Sequence, residues 1–207
     1  MKGSDTQKTV AARWRLSKTY LLVSVAVMST LSIILDLIPL PRVVWGMKID
    51  FVGTIWVLSF FLYGASQALS VALVTALYIA LLSNTGYVGA VMKFLATVPM
   101  FLVPAAFTKI PVLSKKGSGL FNNILITSAV ALVASAMRLL VATLVNLYWA
   151  IPIWFNMTPE SVLAYFGGIV PLIVFVAGMN TVQGIVDVYV SWFAAFKLKL
   201  SDRFGTW

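Results

Sequence analysis

The sequence predicts an all-α integral membrane protein with six transmembrane helices. Three observations carry that prediction. Of the 207 residues, 61% are apolar and only 10% are charged, with a mean hydropathy of +0.99. Soluble domains run at about 45–50% apolar and about 25% charged. The apolar residues fall into runs near the ~20 that a spanning helix needs. Net charge is +9, yet the bases stand at the edges of the runs and not along one folded face. That pattern belongs to a lipid bilayer and argues against nucleic acid as a partner.

The elements follow in order. Residues 1–18 form a basic segment with Lys2, Lys8, Arg13, Arg15 and Lys18. It lacks the short apolar core and small-residue cleavage site of a signal peptide. Residues 19–196 carry the six spans, and 197–207 are a tail. The first span covers about 19–38 and closes at Pro39 and Pro41; a loop with Arg42, Trp45 and Lys48 runs to Asp50. The second, about 51–64, is short. Gly64-Ala65-Ser66-Gln67 turns the chain into the third, about 67–83, and the two read either as separate spans or as one re-entrant hairpin. The fourth, about 88–107, follows Ser83-Asn84-Thr85-Gly86 and should bend at Pro99 and Pro104. A basic loop with Lys109, Lys115 and Lys116 leads to the fifth, about 120–151. A polar bend at 156–160 leads to the sixth, about 162–196; Thr158 is placed to cap a helix there and Pro159 to open it. Both last runs exceed one perpendicular span, so tilt, a protruding end or a break at Pro171 is expected.

Six spans put both termini and the second and fourth loops on one side. That side holds eleven of the fifteen bases, against Arg42 and Lys48 opposite. The positive-inside rule then places both termini in the cytoplasm of a cell whose plasma membrane holds the chain.

Catalysis is a poor fit. The chain has no cysteine and no histidine, which removes thiol chemistry and the commonest general base and metal ligand. Asp36 and Asp50 lie far apart in sequence and form no visible cluster with other acids. A membrane-embedded enzyme would need such a cluster near one interface. No phosphate-cradling Gly-x-x-x-x-Gly-Lys-Ser/Thr run is present. No catalytic residue, metal or cofactor is expected.

The polar residues inside the spans are therefore the informative ones. Lys93 and Arg138 are charges within predicted helices, a default sign of function. Lys93 either lines a ligand site or reaches the outer interface; Arg138 is best read as the structural partner of Asp187. Asn146, Asn180 and Gln183 are amides in lipid-length helices, and Asn180 and Gln183 share one helix face. An unpartnered amide in hydrocarbon costs about 2–7 kcal/mol, so these three either glue helices together or line a pocket. Taken with Lys93 and the aromatics Tyr148, Trp149 and Trp154, they favour a small-ligand pocket, with the first outer loop as its cover. Trp154 alone reads better as part of an interfacial aromatic belt. On the first helix, small residues at Ser24, Ala26 and Thr30 form a close-approach face for another helix or a partner protein.

With these residues in view, the chain resembles the substrate-binding S components of energy-coupling-factor (ECF) vitamin transporters, most of all the riboflavin-specific branch. The resemblance is carried by Lys48-Ile49-Asp50-Phe51 after a proline-rich loop, by Gly86 to Pro104 with Lys93-Phe94-Leu95-Ala96, by Leu144-Val145-Asn146-Leu147-Tyr148 with Ile151-Pro152, and by Asn180-Thr181-Val182-Gln183-Gly184-Ile185. It implies a six-helix protein that captures a vitamin from outside, riboflavin first. It also implies a transmembrane coupling protein and two cytoplasmic ATPases as partners. Riboflavin would be cargo and not a cofactor. The ligand contacts implied are Lys48, Asp50, Lys93, Asn146, Tyr148, Asn180 and Gln183. The family's Ala-x-x-x-Ala docking motif falls either on Ser24 and Met28 or on Ala26 and Thr30. Three departures stand out: Val52-Gly53-Thr54 after Asp50, Phe94 after Lys93 where Asn is frequent, and Gln183 where the branch usually has Lys. Amides and aromatics suit a flavin ring; they would also suit another planar heterocycle, and Lys93 an anionic ligand.

Overall fold

A computed structural model describes residues 17–40, 48–110 and 117–207. Most of the predicted N-terminal segment, Arg42, Trp45, Lys115 and Lys116 lie outside the described residues.

The described chain is all-helical. Helix α1 spans Lys18–Leu37, α2 Val52–Tyr63 and α3 Ala65–Leu82; α4, Gly86–Thr97, runs on into α5, Pro99–Phe107. After a 3-10 turn at Gly117–Asn122 come α6 (Ile124–Val145), a π-helical turn (Asn146–Ala150) and α7 (Ile151–Phe155), which together form one long rod. Helix α8 is Pro159–Phe166. Helix α9, Ile169–Ile185, continues through π turns at Val186–Val190 and Phe193–Lys197, and α10 is Leu200–Phe204. Five of these rods are long and apolar enough to cross a membrane, and α2 is a sixth, shorter one.

The shortness of α2 has a physical answer. It is apolar on every face, and every residue from 52 to 62 is buried. A helix that is hydrophobic all round belongs in a core. Twelve residues reach only about 18 Å, less than the ~30 Å of a bilayer's hydrocarbon, but α2 is wrapped by α1, α3, α5 and the π turns that follow α9, so lipid does not set its length. Gly64, at φ +88°, makes the sharp turn into α3. The expected hairpin therefore exists, and α3 by itself is long enough to span.

Other boundaries follow local chemistry. The Ser17 hydroxyl accepts from the Tyr20 N–H at 3.1 Å to start α1, and the Asn123 side chain accepts from the Leu125 N–H at 2.9 Å to start α6. The Thr158 hydroxyl accepts from the Ser161 N–H at 3.3 Å, with Pro159 next, as the sequence suggested for α8. The expected break at Pro171 is not there. Pro171 lies in the first turn of α9, where a missing N–H breaks no helical bond. The interruption falls at Gly167 and Gly168 instead, with φ of +76° and +120°, and so splits the predicted sixth span into α8 and α9. Pro99 ends α4 at Val98, while Pro104 stays buried inside α5.

Candidate functional site

One end of the bundle gathers Lys18, the Gly64 turn, the 3-10 turn and α10. There the Tyr20 hydroxyl donates to the Phe204 carbonyl at 3.1 Å and the Ser118 hydroxyl to the Trp207 carbonyl at 2.7 Å. Toward the opposite end, between α1, α2, α3, α4, α6 and α9, a cavity of about 110 Å³ opens. A single water needs only about 10–15 Å³, so this space admits the polar edge of a small molecule. Its wall includes Asp36, Lys48, Lys93, Arg138, Asn180 and Gln183, with Met92, Met179 and Trp154 as its larger apolar side chains. Asp36 and Lys48 also line a wider adjoining groove of about 630 Å³, bordered by the end of α1 and by Tyr78, Leu82, Ser83 and Asn84.

The charges form one connected network. Lys48 donates to Asp36 Oδ1 at 2.8 Å and lies 3.9 Å from Asp50 Oδ2. Lys93 pairs with the same Asp50 carboxylate. Gln183 then bridges: its Oε1 accepts from the Asp50 N–H at 2.9 Å, and its Nε2 donates to the Asp50 carbonyl at 2.7 Å and to Asp187 Oδ1 at 2.8 Å. Arg138 donates from one arm to Asp187 Oδ2 at 2.9 Å and from Nε to Asn180 Oδ1 at 3.0 Å. Isolated charges in a low-dielectric interior cost several kcal/mol each unless paired and hydrogen-bonded, and here each charge has both.

Local sequence explains how the network is held. Asp50 stands just before the N-cap of α2, and its Oδ1 accepts from the Val52 N–H at 3.0 Å, which places negative charge at the positive end of the helix. Asp187 reaches α2 because residue 53 is glycine: a Cβ there would lie 2.6 Å from Asp187 Oδ2. Thr54 adds a hydroxyl to Asp187 Oδ1 at 3.4 Å.

The sequence candidates divide. The structure brings Lys48, Asp50, Lys93, Asn180 and Gln183 together, and it pairs Arg138 with Asp187 as expected. Lys93 pairs with Asp50 and lines the cavity. Asp36 and Asp50, read as unconnected, meet through Lys48. Asn146 is buried and donates to the Ala142 carbonyl at 2.8 Å, away from the cavity wall. Tyr148 is 63% exposed and lies outside that wall, whereas Trp154, read as a belt residue, lines it. The π turn explains the position of Trp154. On an ideal helix Trp154 sits about 160° around from Arg138; the one extra residue of a π turn brings it back to roughly 60°. Asp36 was missed as a wall residue, although an acid inside an apolar run is itself a signal. Gly53 left no signal in the sequence.

On α1 the two candidate docking registers point in different directions. Ser24 and Met28 are buried against the bundle. Ala26 and Thr30 are exposed among Leu22, Val23, Val27 and Ile34. The Thr30 hydroxyl closes onto the Ala26 carbonyl at 2.9 Å, leaving that face apolar.

No protein-family model and no curated protein matches the chain. Among solved structures, the S component of a bacterial ECF transporter superimposes with a TM-score of 0.67 over 88% of this chain and 97% of that one, at 20% identity. At that identity the likeness establishes the fold. This chain is a multi-pass, all-α membrane protein with the architecture of that S component.

Proposed function

We propose that the chain is the substrate-capturing subunit of an ECF-type transporter and that its cavity binds a small vitamin, with riboflavin the first candidate. The observation that carries this reading is a donor-rich cavity opening toward one end of an S-component fold. Lys48, Lys93, Arg138, Asn180 and Gln183 bring N–H donors to its wall, and Trp154 offers an aromatic face. The edge of an isoalloxazine ring is rich in carbonyl acceptors and imino donors, which such a wall can pair, while a ring face stacks on an aromatic. The described cations outside the network, Lys18, Lys109, Lys197, Lys199 and Arg203, all lie toward the end away from the cavity. By the positive-inside rule that end is cytoplasmic, and the cavity faces outward. Energy would come from a coupling protein and two ATPases, with the apolar Ala26–Thr30 face of α1 as the docking contact.

The test is an absorbance spectrum of the protein purified in detergent, with melting temperatures in the presence of added vitamins. Flavin bands, weakened by Lys93→Ala or Asn180→Ala, are the expected result. A colourless protein unshifted by riboflavin removes that vitamin. A protein unshifted by every vitamin at about 100-fold excess over a micromolar dissociation constant, where a bound ligand adds about 2.7 kcal/mol, removes the capture function.

A further inference from the structure

From the balance of the buried network, we infer that the cavity selects a ligand with no net charge, one that presents hydrogen-bond acceptors to its wall. This rests on the capture reading above and narrows it. Among the described residues the network holds three cations, Lys48, Lys93 and Arg138, and three acids, Asp36, Asp50 and Asp187. Its charges cancel. Their placement is not symmetrical, however. All three cations reach the cavity wall, whereas Asp50 and Asp187 stand behind it with side chains 0% exposed. The wall is therefore a layer of dipoles with positive ends inward.

Such a layer attracts acceptor atoms that touch it. It offers little to a net charge, because the acid paired with each cation, Asp36 in the wall beside Lys48 and Asp50 and Asp187 behind it, cancels its field within a few ångströms. An anionic ligand would enter a low-dielectric site with its own charge uncompensated, or would have to strip Lys93 from Asp50 and leave that buried carboxylate with only Lys48, 3.9 Å away and already bound to Asp36. Either route carries the penalty of an unpaired buried ion. The adjacent Gln183 tightens the point. It holds Asp50 by both its backbone N–H and its carbonyl, so the acid is not free to swing away with a departing partner.

The experiment uses matched pairs on the purified full chain: riboflavin against riboflavin 5′-phosphate, biotinamide against biotin, and pantothenol against pantothenate. Dissociation constants come from ligand-induced melting shifts. The expected result is that, in whichever pair binds, the uncharged member binds at least tenfold more tightly. Asp36→Asn, which gives the network one net positive charge while Lys48 keeps Asp50 nearby, should raise the relative affinity of the charged member at least tenfold. Retained stabilisation by the uncharged member reports that the variant is folded. A charged member that binds as well as its neutral partner, or a ratio unmoved by Asp36→Asn, overturns the inference and leaves the capture function standing. If no member of any pair shifts the melting temperature and no other vitamin does either, the capture function falls and the inference with it.

Discussion

At the end of the bundle that holds Trp207, aromatic rings pack on one another. Phe60 lies 5.5 Å from Phe121 and 5.1 Å from Trp207, and Phe61 lies 5.3 Å from Phe196, centroid to centroid. Toward the other end, six charges trade hydrogen bonds around a cavity. The same short helix serves both. Its first residues, Val52 to Thr54, border Asp50 and Asp187, and its last carbonyls are taken up by the tail: Phe60 by the Trp207 indole and Leu62 by the Thr206 N–H, each at 2.9 Å. The aromatic end gains stability from contact area, which tolerates small changes of shape. The charged end is poised between desolvation and pairing, so that removing one partner costs more than the pair contributes. The comparison predicts that damage at the charged end reaches both stability and ligand, while damage at the aromatic end reaches stability alone.

The largest effect should come from Arg138→Met. It leaves the Asp187 carboxylate buried without its guanidinium and takes a donor from Asn180. Breaking a buried pair from one side costs about 3–5 kcal/mol. The melting temperature should fall steeply, and adding Asp187→Asn should recover much of the loss. A single variant as stable as the parent would mean that the pair is wet or is not formed in the bilayer.

Phe60→Leu probes the other end. Phe60 is fully buried against Phe61, Phe121 and Trp207. A shape change between residues of similar size typically costs under about 1.5 kcal/mol. We expect a modest fall in melting temperature and an unchanged ligand dissociation constant, measured well below the transition. A weakened ligand would show that the two ends are coupled through α2.

How much of this was legible in the sequence differs along the same line. The lipid-facing rods were legible because hydropathy alone sets them; most ends fell within a few residues of expectation, but the last rod starts at Ile169 and not near 162. Helix α2 was legible as apolar throughout, but its burial became clear only from its neighbours. Arg138 and Asp187 could be matched because few charges sit at that depth. Lys93 and Asp50 could not, because Asp50 read as a loop residue when it stands inside the bundle at the start of α2. The Gly167–Gly168 break was overlooked in favour of Pro171: proline is the louder signal, yet in a first turn it is harmless. The π turn at Asn146–Ala150 has no compositional mark, and it is what turns Trp154 toward the cavity.

That rotation gives the smallest and sharpest test. The family resemblance implied Tyr148 as a ligand contact and Trp154 read as a belt residue; in the structure Trp154 lines the cavity and Tyr148 lies outside it. Tyr148 is largely exposed, so Tyr148→Ala should change stability by less than about 0.5 kcal/mol and leave ligand affinity unaltered. Trp154→Ala should leave the fold intact while weakening the ligand about tenfold, because a cavity-lining ring is lost. The opposite pattern, with Tyr148→Ala sparing stability but abolishing binding, would mean that the rod is regular in the ligand-bound protein. Binding would then have to draw the π turn back into an α-helix, swinging Trp154 about 100° away from the cavity.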